Sequence, residues 1–261
     1  MIRSLYTAAT GMQAQQINQD VVANNLANVQ TPGFKASRAE FQDLMYQIHR
    51  QAGVQTTSGT ALPLGVEVGL GSKMTAIQKV FTQGDYQQTG NRFDWAIEGD
   101  GFFQVDDGNG NTLYTRSGNW KLSKDLLLVN SEGLKLTPNV TVPQGTITFT
   151  IDPGGTWTAK DKAGATLSTG RITLAKFANP AGLTNMGRNL YAKTDGSGEP
   201  TTGNPDVEGY GTISQTFLEM SNVNVVDEMV QMIVGQRAYE INSKAIQTAD
   251  NMLQMINNLK R

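Results

Sequence analysis

Seven-residue hydrophobic repeats at both ends of the chain constrain its fold more than any other feature. Near the amino terminus the repeating residues are Leu5, Met12, Gln19 and Leu26, with Val22 in the second register of the same stripe. Near the carboxyl terminus they are Val225, Met232, Tyr239, Ile246 and Leu253. An apolar stripe with this period is typical of helices that pack side by side. The repeats therefore predict one helix at each end of the chain, paired with each other.

Local signals indicate where each helix stops or starts. Pro32 disfavours helix at the residue before it, and Gly33 permits a positive φ, so the first helix is expected to end near Gln30. Asn224 precedes Asp227 and a further acidic residue, as in an N-cap followed by a negatively charged first turn. The second helix is therefore expected to begin there.

The middle of the chain has the alternation and turn residues of β-structure. Residues 94–122 predict strands joined at Asp107-Gly108-Asn109-Gly110, and residues 141–159 predict a further hairpin. The predicted fold class is α+β, with coiled-coil-like terminal helices paired and a mostly β domain inserted between them. The expected divisions are a terminal helical domain (1–32 and 222–261), a connecting segment (33–73 and 205–221) and a β-rich domain (74–204).

Residues 46–71 form a connector that has neither a helical nor a strand period. The segment is long for a connection inside a compact domain. It is therefore expected either to be disordered or to be ordered by a neighbouring chain.

Charge and hydropathy exclude several partners. The net charge is −2, the pI is near 5.5, and no block of Lys or Arg occurs, so nucleic acid and anionic lipid are not expected as partners. No run of about 18 apolar residues predicts membrane insertion, and the first residues lack the apolar core of a secretory signal. A hydrophobic content of 38% is enough for a folded core.

The residues needed for catalysis or metal binding are scarce. The chain has no cysteine, and its only histidine, His49, lies among polar residues where a solvated or interface role is expected. A calcium loop starting at Asp107 fails because Thr112 and Gly118 occupy positions that require glycine and glutamate. No catalytic residue, cofactor or metal ion is predicted. A carbohydrate-binding β-domain protein remains an alternative from another functional class.

The two terminal helices are not sufficient partners for each other. Their stripes are interrupted by polar residues such as Gln15 and Gln236, and an isolated pair of helices is only marginally stable. The sequence therefore favours assembly with other copies of the chain. Asn24, Asn25 and Asn28 lie beside the first stripe, where their amides could bond across helices or cap the last turn.

Four motifs in order resemble the flagellar basal-body rod and hook family. They are ANNLANVQTPGFK (23–35), FTQGDYQQTGNRFDWAIEGDGFFQV (81–105), LYTRSGNW (113–120) and EMSNVNVVDEMVQMIVGQRAYEINSKAIQTADNML (219–253). The resemblance runs from end to end. One departure lies in residues 122–133, where the family usually has an Asp-x-x-Gly turn before a Leu-Val strand.

The resemblance implies a structural axial subunit, not an enzyme, that polymerises helically into the hollow drive shaft between motor and hook. The terminal helices would line the export channel, packed through Leu5, Met12, Val22, Leu26, Val225, Met232, Tyr239, Ile246 and Leu253, with Asn24, Asn25 and Asn28 as polar fasteners. The implied partners are further copies of the chain, proximal rod proteins, hook protein, the P and L ring proteins and the flagellar type III export apparatus. The implied location is the periplasm-spanning rod of the basal body, reached without a cleaved signal peptide.

Within this family, the length and residues 46–71 are most similar to members that build the distal rod. The resemblance implies that this segment, with Tyr46, His49, Arg50 and Pro63, braces neighbouring subunits. A proximal rod subunit or a hook-type subunit remains the alternative within the family.

Overall fold

The computed structural model describes residues 2–51, 64–108, 110–207 and 209–259. Two long helices stand at the ends, α1 (Ile2–Ala27) and α2 (Val225–Leu259), and the chain between them is β-rich. This arrangement confirms the predicted α+β class.

The strands are short and numerous. In chain order they are β1 (Ser37–Asp43), β2 (Tyr46–Arg50), β3 (Val66–Gly69), β4 (Ser72–Lys79), β5 (Tyr86–Gln88), β6 (Trp95–Glu98), β7 (Phe103–Asp106), β8 (Thr112–Thr115), β9 (Lys121–Leu122), β10 (Leu128–Val129), β11 (Lys135–Thr137), β12 (Thr148–Ile151), β13 (Thr156–Lys160), β14 (Thr166–Arg171), β15 (Leu174–Lys176), β16 (Thr184–Gly187), β17 (Leu190–Ala192), β18 (Thr201–Gly203), β19 (Thr212–Gln215) and β20 (Phe217–Glu219). A 3-10 turn, Pro180–Gly182, lies between β15 and β16.

The ends of the helices follow the local signals closely. Helix α1 ends at Ala27, one turn before the expected Gln30, because the Thr31 amide closes a turn onto the Asn28 carbonyl at 3.1 Å. Gly33 then adopts a φ of 72°, as the Pro-Gly turn requires. Helix α2 begins directly after Asn224 and carries two acidic residues in its first turn, as predicted.

Residue contacts divide the chain into two compact units. The first unit contains Met1–Leu26, Ser37–Gln78 and Val225–Arg261, and the second contains Ala27–Ala36 and Lys79–Asn224. In the first unit α1 and α2 pack together, β1 pairs with β4, and β2 pairs with β3.

The core of the second unit is aromatic and lies among its small sheets. The largest sheet has the order β16-β17-β8-β7-β11-β10-β9. Phe149 stacks between Trp95 and Trp157, with ring centroids 6.1 and 5.8 Å apart, and Trp95 also packs against Trp120 at 6.0 Å. Such rings each bury a large apolar area, so this cluster is a main part of the core of the unit.

Both predicted hairpins are present. Strands β7 and β8 pair antiparallel across the predicted Asp-Gly-Asn-Gly loop, in which Asn109 lies outside the described residues. Strands β12 and β13 pair antiparallel across residues 152–155. A third turn explains the departure in residues 122–133, because Leu126 adopts a φ of 60° at a tight turn between β9 and β10. The hairpin is retained with a leucine in a conformation that favours glycine.

The connector of residues 46–71 contains regular structure at both of its ends. Tyr46–Arg50 and Val66–Gly69 form an antiparallel ladder with an irregularity between Ile48 and Arg50. Sequence periodicity missed these strands because the ladder is exposed on both faces, so no alternation of apolar and polar residues marks it.

Candidate assembly surface

The predicted stripe of α1 lies on the covered side of that helix. Val22 is 2% exposed and Ala8 is also buried, while Leu5, Met12 and Leu26 are partly buried. The residues between them, such as those at positions 9, 16 and 23, are exposed. The stripe predicted from the sequence is therefore the face of α1 that packs inside the first unit.

The covered side of α2 is lined by small and polar residues as well as by the predicted stripe. Val225, Met232, Ile246 and Leu253 are partly buried, whereas Tyr239 remains 43% exposed. A second register at every seventh position holds residues of little apolar volume or polar character, which are Glu228, Gly235, Asn242 and Ala249. Sequence reasoning overlooked this register, because its members are not apolar stripe residues.

Contacts at a glycine of each helix show how α1 and α2 are arranged. A Cβ placed at Gly235 would lie 3.5 Å from the Gln15 side-chain oxygen and 3.5 Å from Gln19 Cγ. A Cβ at Gly11 of α1 would lie 3.0 Å from Asn242 Nδ2. Residues with increasing numbers on α2 thus contact residues with decreasing numbers on α1. The helices therefore run antiparallel with their backbones close together.

Asn25 is the polar residue that links the two helices. Its Nδ2 donates to Glu228 Oε1 and to the Ser37 carbonyl, each at 2.9 Å, and its Oδ1 accepts from the Ser37 amide at 2.9 Å. The side chain is almost fully buried. Burial without enough hydrogen bonds raises the pKa of Glu228 above its ordinary value of 4.5, and Asn25 opposes that shift.

The other two predicted asparagines differ from Asn25. Asn24 is exposed on α1. Asn28 lies in the turn after α1, where its Oδ1 accepts from the Thr31 hydroxyl at 3.2 Å. Within one chain, Asn25 therefore bonds across the helices and Asn28 helps to close the turn that follows α1.

The side of α2 that faces away from α1 is apolar and exposed, and we call it the outer face. Its members are Val226, Val230, Ile233, Val234, Ile241, Met252 and Met255. Arg237, Lys244 and Thr248 interrupt it. Contiguous exposed apolar surface is typical of sites of protein association, because monomeric proteins rarely leave large patches of it uncovered.

The residues expected in the rod-specific segment lie on the exposed ladder, apart from Pro63, which is outside the described residues. Tyr46 and Arg50 are the ends of β2. His49 Nε2 accepts a hydrogen bond from Arg3 Nη1 of α1 over 2.7 Å, so the ladder is tied to the first helix. A hydrogen bond with Asp43 raises the pKa of Tyr46.

A buried cluster of charges in the second unit was missed from the sequence. Lys35 Nζ lies 2.6 Å from Glu219 Oε1, and both side chains are fully buried. Arg116 approaches the same carboxylate, with Nε 3.8 Å from Oε2. Burial lowers the pKa of Lys35, and the neighbouring Glu219 carboxylate opposes that effect. The three residues are far apart in sequence, so no local pattern announces the cluster.

No helix within the described ranges is long and apolar enough to cross a membrane. Among the same residues, no group of three or more histidine or acidic side chains has a geometry that could hold a metal ion.

Three family profiles match consecutive parts of the chain. Residues 5–35 match the family described as Flagella basal body rod protein, and residues 96–159 match the Flagellar hook protein FlgE/F/G D1 domain. Residues 214–259 match the Flagellar basal body rod FlgEFG protein C-terminal family. The first and last matches contain α1 and α2, and the middle match contains the strands β7 and β8.

Full-length relatives carry the same description. The chain is 50% identical to the flagellar basal-body rod protein FlgG of Borreliella burgdorferi over 264 residues, which covers 100% of both chains. Proteins of the same name from Buchnera aphidicola (Schizaphis graminum) and Agrobacterium fabrum are each 44% identical, covering 99% of this chain and 100% of theirs. This chain belongs to the flagellar basal-body rod family.

Membership in the rod family confirms the resemblance found in the sequence motifs. Members of the family are structural proteins of the basal-body rod and not enzymes, as expected from the scarcity of catalytic groups. The family assignment also places the protein in the flagellar basal-body rod. For such a protein the functional site is a surface that joins subunits.

Proposed function

We propose that this rod-family protein is the distal rod subunit, which polymerises helically into the drive shaft between the flagellar motor and the hook. The observation that carries the proposal is the apolar outer face of α2, which a single chain leaves exposed. The full-length relatives named FlgG support it, because they share the whole length of this chain.

The energetics favour association through this face. Fully burying a large apolar side chain is worth roughly 1.5–3 kcal/mol, and the outer-face residues retain about half of their surface for that purpose. Their opposite neighbours on α2 already pack against α1. In the proposed polymer the outer face meets a different surface of another copy, because a head-to-tail contact of that kind generates rings or helical filaments.

In the proposed polymer the terminal helices (1–32 and 222–261) form the inner tube around the export channel. Residues 74–204 form the outer part, joined by residues 33–73 and 205–221. The residues that pack the helices of this tube are Leu5, Met12, Val22, Leu26, Val225, Met232, Tyr239, Ile246 and Leu253. Asn24, Asn25 and Asn28 supply polar links in the same tube. Exposed Tyr239 then contacts a neighbouring helix.

The proposed partners follow from the position of a distal rod. They are proximal rod proteins at one end, hook protein at the other, and the surrounding P and L ring proteins. The subunit would reach this place through the flagellar type III export apparatus without losing a signal peptide, and span the periplasm as part of the rod.

The main test introduces two negative charges into the outer face by substitution. We expect Val230→Asp/Val234→Asp to fold normally, because both side chains are exposed, and to abolish filaments, because two carboxylates would be buried in the contact. Electron microscopy of concentrated protein measures the filaments, and circular dichroism checks the fold.

Met186→Asp in β16 is the matched control, since Met186 is 61% exposed and Val234 62%. This variant should still form filaments. Normal filaments from the α2 double variant would rule out the outer face as the assembly surface.

A bracing role of residues 46–71 between neighbouring subunits is tested separately. Deleting residues 54–64 should leave filaments that are curved or more flexible than those of the parent, as judged by the persistence length in micrographs. Straight filaments of unchanged stiffness would argue for a subunit without a bracing segment, such as one from the proximal rod.

A further inference from the structure

A small pocket in the second unit has a charged floor and an aromatic wall. Its volume is about 220 Å³. The apolar wall is formed by Phe81, Phe102, Phe177, Ala178 and Pro180, and the polar lining by Asp100, Lys176 and Arg116. Pockets for drug-sized ligands have volumes of about 300–1,000 Å³, so this one suits a single side chain or a small organic acid.

Arg116 is the buried charge in this lining. Its side chain is 4% exposed, and its Nη2 donates to the Gly99 carbonyl at 2.7 Å. The guanidinium carbon lies 5.7 Å from the centre of the Phe102 ring. Neither Nε nor Nη1 donates a hydrogen bond to any residue that the structure describes. A guanidinium keeps its charge at any physiological pH, so these buried donors call for an acceptor.

Glu219 alone cannot balance the charges of both Lys35 and Arg116. Its Oε1 already accepts from Lys35 Nζ at 2.6 Å and from the Gly84 amide at 3.1 Å. Its Oε2 is 3.8 Å from Arg116 Nε, beyond hydrogen-bonding distance. Lys35, Arg116 and Glu219 thus bring two cations and one anion together in a buried place, where charge has to be balanced.

The rim of the pocket adds little net charge. Lys176 Nζ is 3.0 Å from Asp100 Oδ2 and also donates to the Gly209 carbonyl at 3.2 Å. Arg116 is therefore the lining cation, among the described residues, that makes no direct hydrogen bond to a carboxylate, because its ion pair with Glu219 spans 3.8 Å. A singly charged group fits this site better than a phosphate, which carries more charge and needs more donors.

We propose that this pocket binds a carboxylate attached to an apolar body, with Arg116 as the anion-binding residue and the phenylalanine rings as the wall. Arginine is suited to carboxylates because its planar donors match the two oxygens. The carboxylate could be a free small acid or an acidic side chain of a second copy of the chain. The binding chemistry does not depend on the proposed filament.

The test uses phenylacetate as the probe and phenylacetamide as its uncharged match, with the full chain kept dilute. Isothermal titration calorimetry should show saturable binding of phenylacetate and binding of phenylacetamide that is at least about tenfold weaker. Equal binding of the two probes, or no binding of phenylacetate, would overturn the proposal.

Variants at the pocket mouth locate the binding without touching the buried charges. Ala178 is exposed and lines the pocket, so Ala178→Trp should weaken phenylacetate binding by about tenfold or more. Ala181→Trp is the matched control, because Ala181 is exposed nearby but does not line the pocket, and it should bind as the parent does. Unchanged binding by Ala178→Trp would place the probe elsewhere.

Arg116→Gln tests the charge itself. The variant should lose the preference for phenylacetate over phenylacetamide, while Lys35 still pairs with Glu219. Should the variant not fold, the comparison of the two tryptophan variants decides the question.

Sedimentation distinguishes the two sources of the carboxylate. If a second copy supplies it, phenylacetate should inhibit self-association more than phenylacetamide does. If a free acid supplies it, both probes should leave self-association unchanged while phenylacetate still binds.

Discussion

At the scale of single residues, buried polar groups matter more for stability than exposed ones. Lys35 follows the Pro-Gly turn after α1, and Glu219 ends β20 just before α2. Their buried ion pair connects these distant parts of the second unit. Removing one partner of a buried pair leaves the other charge without compensation, which makes such a pair costly to break.

We predict that Lys35→Met lowers the free energy of unfolding by roughly 3–5 kcal/mol, because Glu219 loses its nearest cation. Urea denaturation followed by tryptophan fluorescence measures the change. Lys193→Met is the control: its ion pair with Glu199 is exposed and screened by solvent, so the loss should be far smaller. Similar losses for both variants would show that burial of the Lys35 pair is not what makes it important.

The raised pKa of Glu228 makes the stability of the folded chain depend on pH. Because burial raises its pKa above 4.5, the folded chain holds more protons than the unfolded chain between 4.5 and the raised value. The contribution of protonated Glu228 to folding stability is therefore fully present below pH 4.5. It is lost as the pH rises through the pKa of Glu228 in the folded chain.

We predict that Glu228→Gln raises the thermal unfolding midpoint at pH 7 and that the difference from the parent disappears below pH 4.5. The glutamine oxygen can still accept from Asn25, so the link between the helices remains. Asp227→Asn, an exposed change in the same turn, removes only the smaller effect of the Asp227 charge on the Glu228 pKa and should give a smaller gain. A difference that grows as the pH falls would contradict the assigned cause.

At the scale of elements, the two helices approach each other closely where small residues face a partner. A glycine inside a helix costs about 0.5–1 kcal/mol relative to alanine, so it is kept where a side chain would not fit or where it adds little. Gly235 and Gly11 occupy such positions but differ in the space around them.

We predict that Gly235→Ala stabilises the first unit by about 0.5–1 kcal/mol, because the added Cβ meets its neighbours at 3.5 Å, an ordinary contact distance. Gly11→Ala should give less or nothing, since its Cβ would lie 3.0 Å from Asn242 Nδ2. Helical circular dichroism during thermal unfolding compares the two variants. An equal gain from both would mean that the helices are less closely packed than the contacts indicate.

At the scale of the whole molecule, stability and assembly belong to different parts of the chain. The aromatic core lies in the second unit, and the outer face lies in the first. We predict that removing residues 1–30 and 224–261 leaves a folded monomer that cannot polymerise. Near-ultraviolet circular dichroism reports the packing of Trp95, Trp120 and Trp157, and sedimentation reports the mass. Filaments formed by the shortened chain would place the assembly surface outside the terminal helices.

The sequence by itself determined the elements that depend on neighbouring residues. The seven-residue stripes predicted both terminal helices, Pro32 and Gly33 predicted the turn after α1, and Asn224 predicted the start of α2. Turn residues predicted the hairpin of β7 and β8. These features are encoded locally, because helix ends and tight turns require particular residues at particular offsets.

Only the tertiary structure decided which groups from distant parts of the chain meet. It placed Gly235 and Asn242 on the covered side of α2, left Tyr239 partly exposed, and brought Lys35, Arg116 and Glu219 into one buried cluster. It also paired β2 with β3, which have no periodicity to announce them. Periodicity tells which face of a helix is apolar, but the packing of the whole chain decides which of those residues are covered and which remain for a partner.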